Sequence, residues 1–282
     1  MSTAGTRAAP TPPAPATRAA ASATETSRFV ALTATFPRIF RSSIAIVIFC
    51  GLWESLPRAG WVDATFLPPF SAVLAALFDM LRSGELEQHL LASTTRALGG
   101  FVIAVALGVP LGLVIGWYRK LEEVLNPLLE LFRNTAPLAL LPVFVLILGM
   151  GETSKISMVV YSCIWPVVLN TVSGVRNVDP LLIRSARSMG LGSLQLFIRV
   201  VLPASVPTVF TGIRVAAAYS ILVLIAAEMV GAKAGLGYLV NYSQFTFEIP
   251  KMYAGIITLA LLGLAFNHAV LLAERRLTAW RG

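Results

Sequence analysis

Four charged residues lie inside the third and fifth apolar segments of the sequence, where an ionised side chain must be stabilised by a partner or serve a function. They are Glu130, Arg133, Arg214 and Glu228. A charge at the centre of a bilayer costs about 2.5–3.5 kcal/mol on insertion scales, so such residues are typically paired or functional. Glu130 and Arg133 are three residues apart, which favours mutual neutralisation on one helix face. The alternative for Arg133 is a place along a polar path through the membrane.

The other two charges lie near opposite ends of one apolar segment. Arg214 is close enough to its end for the long side chain to reach the membrane surface, which we favour over a place on a polar path. Glu228 immediately precedes the glycine-rich residues 231–237. Two interpretations of Glu228 stay open: it shapes an outer gate, or it faces the membrane interface.

The sequence gives little support for a catalytic site or a metal-binding site. Ser220 and His268 could supply an intramembrane hydrolase, but Ser220 has no flanking glycine, so an enzyme is only a minor alternative and no catalytic residue is predicted. His89 and His268 are the only histidines, and Cys50 and Cys163 both lie in apolar segments. We therefore expect buried hydrophobic cysteines and no metal site or cofactor on this chain.

The composition indicates an integral membrane protein. Hydrophobic residues make up 56% of the chain and charged residues 13%, about half the 25% typical of a soluble domain. The net charge of +8 does not indicate nucleic-acid binding, because the basic residues form no stripe with interleaved aromatic residues. No Gly-Lys dipeptide occurs, which excludes a phosphate-binding loop of the G-x-x-x-x-G-K type.

Six apolar segments approach the length of about 20 residues that a spanning helix needs. The third is interrupted by three prolines, which predicts a kinked or two-part helix. The predicted fold is therefore all-α, with six transmembrane helices at Phe40–Leu56, Ala97–Trp117, Val124–Met150, Ile156–Val175, Pro207–Val230 and Tyr253–Ala273.

The remaining stretches define the predicted organisation around these helices. Residues 1–39 are expected to form a disordered cytoplasmic tail, for which a transit peptide is the alternative. The membrane domain covers residues 40–276, with an outer loop at 57–96 and an inner loop at 176–206, and residues 277–282 end the chain. An orientation with both termini in the cytoplasm places fourteen basic residues inside and six outside, as the positive-inside rule requires.

The inner loop has the pattern of a compact helical element. Asp179 and Pro180 can begin a helix as N-cap and first residue. Leu182, Ala186 and Met189 are spaced to share one face of that helix. Gly190 and Gly192 then interrupt it, and a second short helix is expected at 194–201. Such an element can dock into a groove on a partner protein or lie on lipid headgroups.

The loop also resembles a signature of the permeases of ATP-binding-cassette (ABC) importers. That signature reads Glu-Ala-Ala, three residues, Gly, nine residues, then Ile-x-Leu-Pro. The matching residues here keep the spacing from Gly to Leu-Pro, with Val for Ile, but Arg184 replaces the glutamate. The residues to which the resemblance assigns contact with the ATPase are Arg184, Ser185, Ala186, Gly190, Val200, Leu202 and Pro203.

Three further stretches resemble the nitrate/taurine/alkanesulfonate branch of these permeases. They are residues 138–155, with Leu-Ala-Leu-Leu-Pro leading to Gly-Met-Gly-Glu-Thr-Ser-Lys, residues 165–176, beginning Trp-Pro, and residues 227–238, beginning Ala-Glu-Met-Val. The resemblance extends from about Phe66 to Arg276. It implies the type I importer permease fold and a small substrate, an alkanesulfonate, taurine or nitrate, for which Arg133 and Arg214 would provide a favourable field.

The resemblance also implies partners in the bacterial inner membrane. These are separate ATPase subunits that hold ATP and magnesium, an extracytoplasmic binding protein and a second permease, as a homodimer or a heterodimer. The chain itself would then be non-catalytic. A self-contained secondary transporter is the main alternative, although six helices are few for one and the two halves show no internal repeat.

Overall fold

A computed structural model describes residues 44–277, and the chain falls into two compact units, residues 1–64 and 65–282. In the first unit, residues 44–58 form helix α1, in which Arg58 pairs with Glu54 one turn earlier (2.5 Å). Helix α1 covers the described part of the first expected span. The expected disordered tail at 1–39 and residues 278–282 lie outside the described residues.

The second unit consists of helices joined by short connections and contains no strand in its described residues. Two short irregular helices interrupt the α-helices: a 3₁₀ turn at Pro137–Leu140 and a π-helical turn at Phe197–Val201. The α-helices are α2 Phe70–Ser83, α3 Glu85–Trp117, α4 Arg119–Asn134, α5 Leu141–Leu148, α6 Glu152–Arg176, α7 Pro180–Ser188, α8 Ser193–Leu196, α9 Leu202–Met229, α10 Leu236–Phe245 and α11 Ile249–Leu277.

A stripe of glycines lets α3 and α6 pack side by side in the same direction. The glycines recur every four or eight residues along α3, and each faces an α6 residue 59 positions later: Gly100 and Val159, Gly108 and Val167, Gly112 and Thr171, Gly116 and Val175. A Cβ atom on any of these glycines would lie 2.5–2.9 Å from the facing side chain. Small residues allow this close approach of helix backbones, which is how helices associate in lipid.

Helix α9 completes the core by crossing α6 in the opposite direction. The Cys163 thiol donates to the Ala216 carbonyl oxygen (3.2 Å), and Gly212 and Gly174 of the two helices approach Asn170 and Ser205 respectively. Hydrophobic residues of α3, α6, α9 and α11 pack together in one core cluster. In that cluster the rings of Phe101 and Phe266 make an edge contact, with their centroids 5.2 Å apart. Both cysteines are free thiols.

The third expected segment is broken, as its prolines predict. Helix α4 ends at Asn134, Pro137 begins the 3₁₀ turn, and α5 follows after a bend of 84°. Pro127 is accommodated inside α4. A proline lacks the N–H that a helix interior requires, so the new helical axis begins at Pro137.

The helices agree with an all-α membrane fold of close to six spans. Four helical stretches in the described part of the chain are long and apolar enough to cross a membrane, and the bent pair α4–α5 can form a fifth. The first expected span, 40–56, is described only from residue 44. One boundary prediction was wrong: residues 193–229 are continuous helix, so the fifth span does not begin at Pro207.

The expected outer loop at 57–96 is also largely helical. Residues 70–83 form α2, and 85–96 form the first three turns of α3. In the first turns of α3, His89, Ser93 and Arg96 recur at helical spacing and are buried, so one face of these turns packs inside the protein. A hydropathy pattern misses such turns because their buried residues are polar.

The helix directions gather the connections at two ends of the second unit. At the loop end, Arg176 pairs with Glu122 and the Trp117 and Phe197 rings are in contact at 4.9 Å. At the opposite end lie the start of α3, residues 149–155, the end of α9 and residues 230–248. This alternation agrees with the order of crossings expected from the sequence.

Candidate functional site

Helix α7 at the loop end begins as its first residues predict. The Asp179 carboxylate accepts a hydrogen bond from the Leu181 N–H (2.8 Å), and Pro180 occupies the first turn. Ala186 is buried and packs in a cluster with Val175, Val178, Leu196 and Val201. This packing fixes α7 against the ends of the spanning helices.

Glycine ends α7 with a tight turn. Gly190 has a φ of +79°, which L residues with side chains rarely adopt. Its N–H donates to the Arg187 carbonyl (3.0 Å), and the Leu191 N–H donates to the Ala186 carbonyl (3.3 Å). A Cβ atom at Gly190 would meet nothing within 4 Å, so the backbone conformation, and not lack of room, is what requires glycine.

The loop presents an exposed surface that is both apolar and basic. Leu181, Met189 and Leu194 are 66–72% exposed, and Arg184, Ser185 and Arg187 are exposed beside them. Leu182, Ala186 and Met189, which are spaced to share one face, differ in exposure: Ala186 is buried while the other two are exposed. Ala186 belongs to the supporting core.

The second half of the loop is continuous with α9. Helix α8 leads into the π-helical turn, and Val200 is half-buried within that turn. Leu202 and Pro203 are the first residues of α9 and do not end the helix, because proline is tolerated in a first turn. A displacement of this segment would therefore act directly on a spanning helix.

Arg133 lies in the last turn of α4 and lines a cavity of about 360 Å³ together with Trp165, Asn170 and Tyr219. The expected ion pair with Glu130 is present (3.3 Å), and both side chains are about half exposed. The Trp165 Nε1 atom is buried and has no acceptor among the described residues.

Arg214 has a charged partner on a neighbouring helix. It forms an ion pair with Glu274 of α11, and the Glu274 side chain is 19% exposed. The charge of Arg214 is therefore satisfied within the protein by a neighbouring helix.

Glu228 is among the most deeply buried large side chains of the described residues. Its carboxylate has no exposed area and accepts hydrogen bonds from the Ser93 hydroxyl (2.8 and 2.9 Å), from Arg96 Nη1 (2.7 Å) and from the Gly237 N–H (2.9 Å). The interpretation that Glu228 faces the membrane interface is therefore wrong.

Arg96 is the centre of this network and was not foreseen from the sequence. Besides Glu228, it binds Glu152 at the start of α6 through two nitrogens, with Nη2 to Oε1 at 2.6 Å, and it donates to the Ala234 carbonyl (2.6 Å). The signal that could have revealed it is the spacing of His89, Ser93 and Arg96, which extends the glycine stripe of α3.

Residues 231–237 are fixed onto α3 by backbone N–H groups. Gly235 N donates to His89 Nδ1 (3.1 Å), and Leu236 N donates to the Ser93 hydroxyl (2.8 Å). A Cβ atom at Gly235 or Gly237 would collide with Glu228. These two glycines therefore allow the loop to reach the buried carboxylate.

Lys155, one of the six basic residues counted on the outer side, is buried. Its residue is 4% exposed, and Nζ donates to the carbonyl oxygens of Met150 (3.0 Å) and Gly151 (3.1 Å). The ammonium group thus holds the connection between α5 and α6.

The structure does not bring together the residues of a hydrolase. Ser220 is buried and donates to the Ala217 carbonyl of its own helix (2.8 Å), while the exposed His268 contacts the Leu264 carbonyl (3.3 Å). Within residues 44–277, no three His, Cys, Asp or Glu side chains are placed to hold a metal ion.

Comparison with known proteins identifies the class to which this fold and loop belong. The chain is 37% identical over 229 residues to the aliphatic sulfonates transport permease protein SsuC of Escherichia coli K12, covering 81% of this chain and 87% of SsuC. It is 32% identical over 242 residues to the taurine transport system permease protein TauC of that strain, covering 84% and 88%. The fold is similar to that of the MetNI methionine ABC transporter (TM-score 0.57, 18% identity), covering 67% of this chain and 94% of the other.

The chain is thus a permease component of an ABC importer, a non-catalytic membrane subunit. Residues 108–279 match the model of the binding-protein-dependent transport system inner membrane component, and the chain belongs to this family. Relatives named for sulfonates, taurine and nitrate confirm the expected branch. The all-α, type I importer fold is confirmed as well.

Proposed function

We propose that this permease forms the pathway for a small anion and is driven by a separate ATPase that docks on residues 176–206. The observation that supports this most directly is the construction of α7. A buried Ala186 anchors the helix and its outward surface is apolar and basic. After the turn at 189–192, the chain is continuous helix from residue 193 to the end of α9.

The ATPase contact is assigned to the exposed part of the loop. Leu181, Met189 and Leu194 supply apolar contact area, and Arg184 and Arg187 supply positive charge. Since Arg184 stands where the family signature has a glutamate, we expect an acidic residue opposite it on the ATPase. ATP and magnesium belong to that partner, because this chain has no phosphate-binding loop.

The loop end is assigned to the cytoplasm. In the second unit its exposed basic residues include Arg119, Lys120, Arg184, Arg187 and Arg199, whereas Arg96 and Lys155 at the opposite end are buried and satisfied. Removing these two from the exposed charge strengthens the asymmetry that orients membrane proteins. Both termini are then cytoplasmic, and the opposite end receives the binding protein.

The substrate class is assigned from Arg133 and from the relatives. The names of SsuC and TauC specify sulfonates and taurine, and Arg133 places a guanidinium beside a cavity near the middle of α6. Broken helices commonly mark the substrate site of a transporter. Arg214 is a weaker candidate because it does not line this cavity, and Glu228 acts at the outer gate.

ATP-driven uptake tests this assignment. The complex purified from its native membrane with its binding protein is reconstituted in vesicles, and uptake of labelled taurine, an alkanesulfonate and nitrate is compared with that of a neutral and a cationic solute. We expect uptake of at least one anion that requires ATP hydrolysis and persists when ionophores collapse ion gradients. Uptake that follows a gradient and ignores ATP would instead identify a secondary transporter.

Arg133 is examined in the same assay. Arg133→Gln should lower anion uptake, whereas Arg119→Gln, which removes an exposed arginine also paired to a glutamate of α4, should not. Equal uptake by both variants would remove Arg133 from the pathway.

A second copy of the chain is the expected partner across the pathway, which co-purification of two differently tagged copies can test.

A further inference from the structure

Arg96 connects three segments that the chain separates widely. One guanidinium binds the start of α6 through Glu152, the end of α9 through Glu228 and the 231–235 loop through the Ala234 carbonyl. The connection at 149–151 also touches that loop directly, because a Cβ atom at Gly231 would lie 3.1 Å from the Met150 sulfur.

The two carboxylates bound by Arg96 have opposite environments. The Glu228 side chain is fully buried and also holds Ser93 and the Gly237 N–H, whereas the Glu152 side chain is 63% exposed. Breaking the bond to Glu228 would leave a buried charge unpaired, which is strongly unfavourable. When the bond to Glu152 breaks, Arg96 and Glu228 remain paired with opposite charges that cancel. The released Glu152 carboxylate can then be solvated by water.

We infer that the Arg96–Glu152 ion pair is a releasable tie between the α5–α6 connection and the 231–235 loop. Arg96 positions Glu152 in this ion pair, and the buried Glu228 keeps Arg96 in place when Glu152 is released. Release of Glu152 removes the charged link between the start of α6 and the 231–235 loop, while Lys155 still holds Met150 and Gly151 to α6. Gly149 has a φ of +77°, and a Cβ atom at Gly149 or Gly151 would touch no neighbour, so this connection has room to move. The opposite end can then open while the buried pair keeps α3 and α9 together.

The inference rests on the proposed function only for its role in transport, because the tie itself can be tested without transport. Ala234→Cys is introduced into the full chain with Cys50→Ser, and the permease is treated with a small maleimide in mild detergent. Glu152→Gln is then compared with Glu123→Gln, which removes another exposed, arginine-paired carboxylate at the loop end. Cys163, which is fully buried, is retained as a reporter of general unfolding.

We expect Glu152→Gln to raise the labelling rate at position 234 about five- to tenfold, the lower range for coupled sites. Glu123→Gln should leave that rate unchanged, and Cys163 should stay unlabelled in both. An unchanged rate with Glu152→Gln would overturn the inference, and so would parallel labelling of Cys163, which would mean loss of the fold. Neither labelling result depends on ATP or substrate. A failure of the proposed transport function would therefore appear in the uptake assay and not in this experiment.

Discussion

Glu228 illustrates how a charge in an apolar segment is stabilised in this permease. A carboxylate with no exposed area is satisfied by one guanidinium, one hydroxyl and one backbone N–H. The sequence indicates that such a residue needs a partner, but its partners lie 132 and 135 positions away. That separation is why Glu228 was foreseen as a candidate while Arg96 and Ser93 were not.

Gly190 provides a prediction about coupling. Gly190→Val should reduce ATP-driven uptake severalfold, because a left-handed conformation costs an L residue about 1–2 kcal/mol and would displace the turn after α7. Gly190→Asn should retain most uptake, since asparagine tolerates this conformation and no neighbour obstructs its side chain. The measurement is uptake normalised to the amount of permease in the membrane.

The Gly190 pair separates two explanations. If both variants lose uptake equally, the side chain at the partner surface matters more than the turn. If both keep normal uptake and still associate with the ATPase, Gly190 has no part in coupling.

At the scale of elements, the packing of α3 on α6 depends on which face each glycine occupies. Gly99 and Gly100 are adjacent in α3, but a Cβ atom at Gly100 would lie 2.6 Å from Val159, while one at Gly99 meets nothing within 4 Å. The glycine stripe is therefore a packing surface, and Gly99 is outside it.

Alanine substitutions at these two neighbouring glycines should differ in their effect on stability. Gly100→Ala should lower the free energy of unfolding by about 1–3 kcal/mol, as overpacking does. Gly99→Ala should be neutral or stabilising by up to about 1 kcal/mol, because alanine favours a helix more than glycine. Thermal unfolding midpoints in one detergent measure both, and a Gly100→Ala midpoint at or above that of Gly99→Ala would contradict the packing model.

The elements also show what the sequence could and could not predict. Long apolar helices and the break at Pro137 follow from hydropathy and proline chemistry, so α6, α11 and the bent α4–α5 pair were anticipated. The start of α3 was not, because its buried face consists of His89, Ser93 and Arg96. The continuity of α8 with α9 was missed because Leu202–Pro203 resembles a helix end.

At the scale of the whole permease, the two ends of the second unit differ in how their charges are used. At the loop end, Arg184, Arg187 and Arg199 remain exposed on a surface with large apolar residues. At the opposite end, Arg96 and Lys155 are buried and form hydrogen bonds within the protein. A protein surface that is basic and apolar suits a protein partner, whereas buried charges with internal partners hold the opposite end in one conformation.

The most direct test of docking through residues 176–206 is co-purification of the tagged permease from its native membrane in mild detergent. Three forms are compared: the unchanged chain, Met189→Asp, and Phe245→Asp as a control with a similarly exposed apolar side chain at the opposite end. We predict that an ATPase subunit accompanies the unchanged chain and Phe245→Asp but is lost from Met189→Asp, with all three forms equally folded. Recovery of the folded, unchanged chain without an ATPase, or undiminished ATPase with Met189→Asp, would contradict docking through this loop.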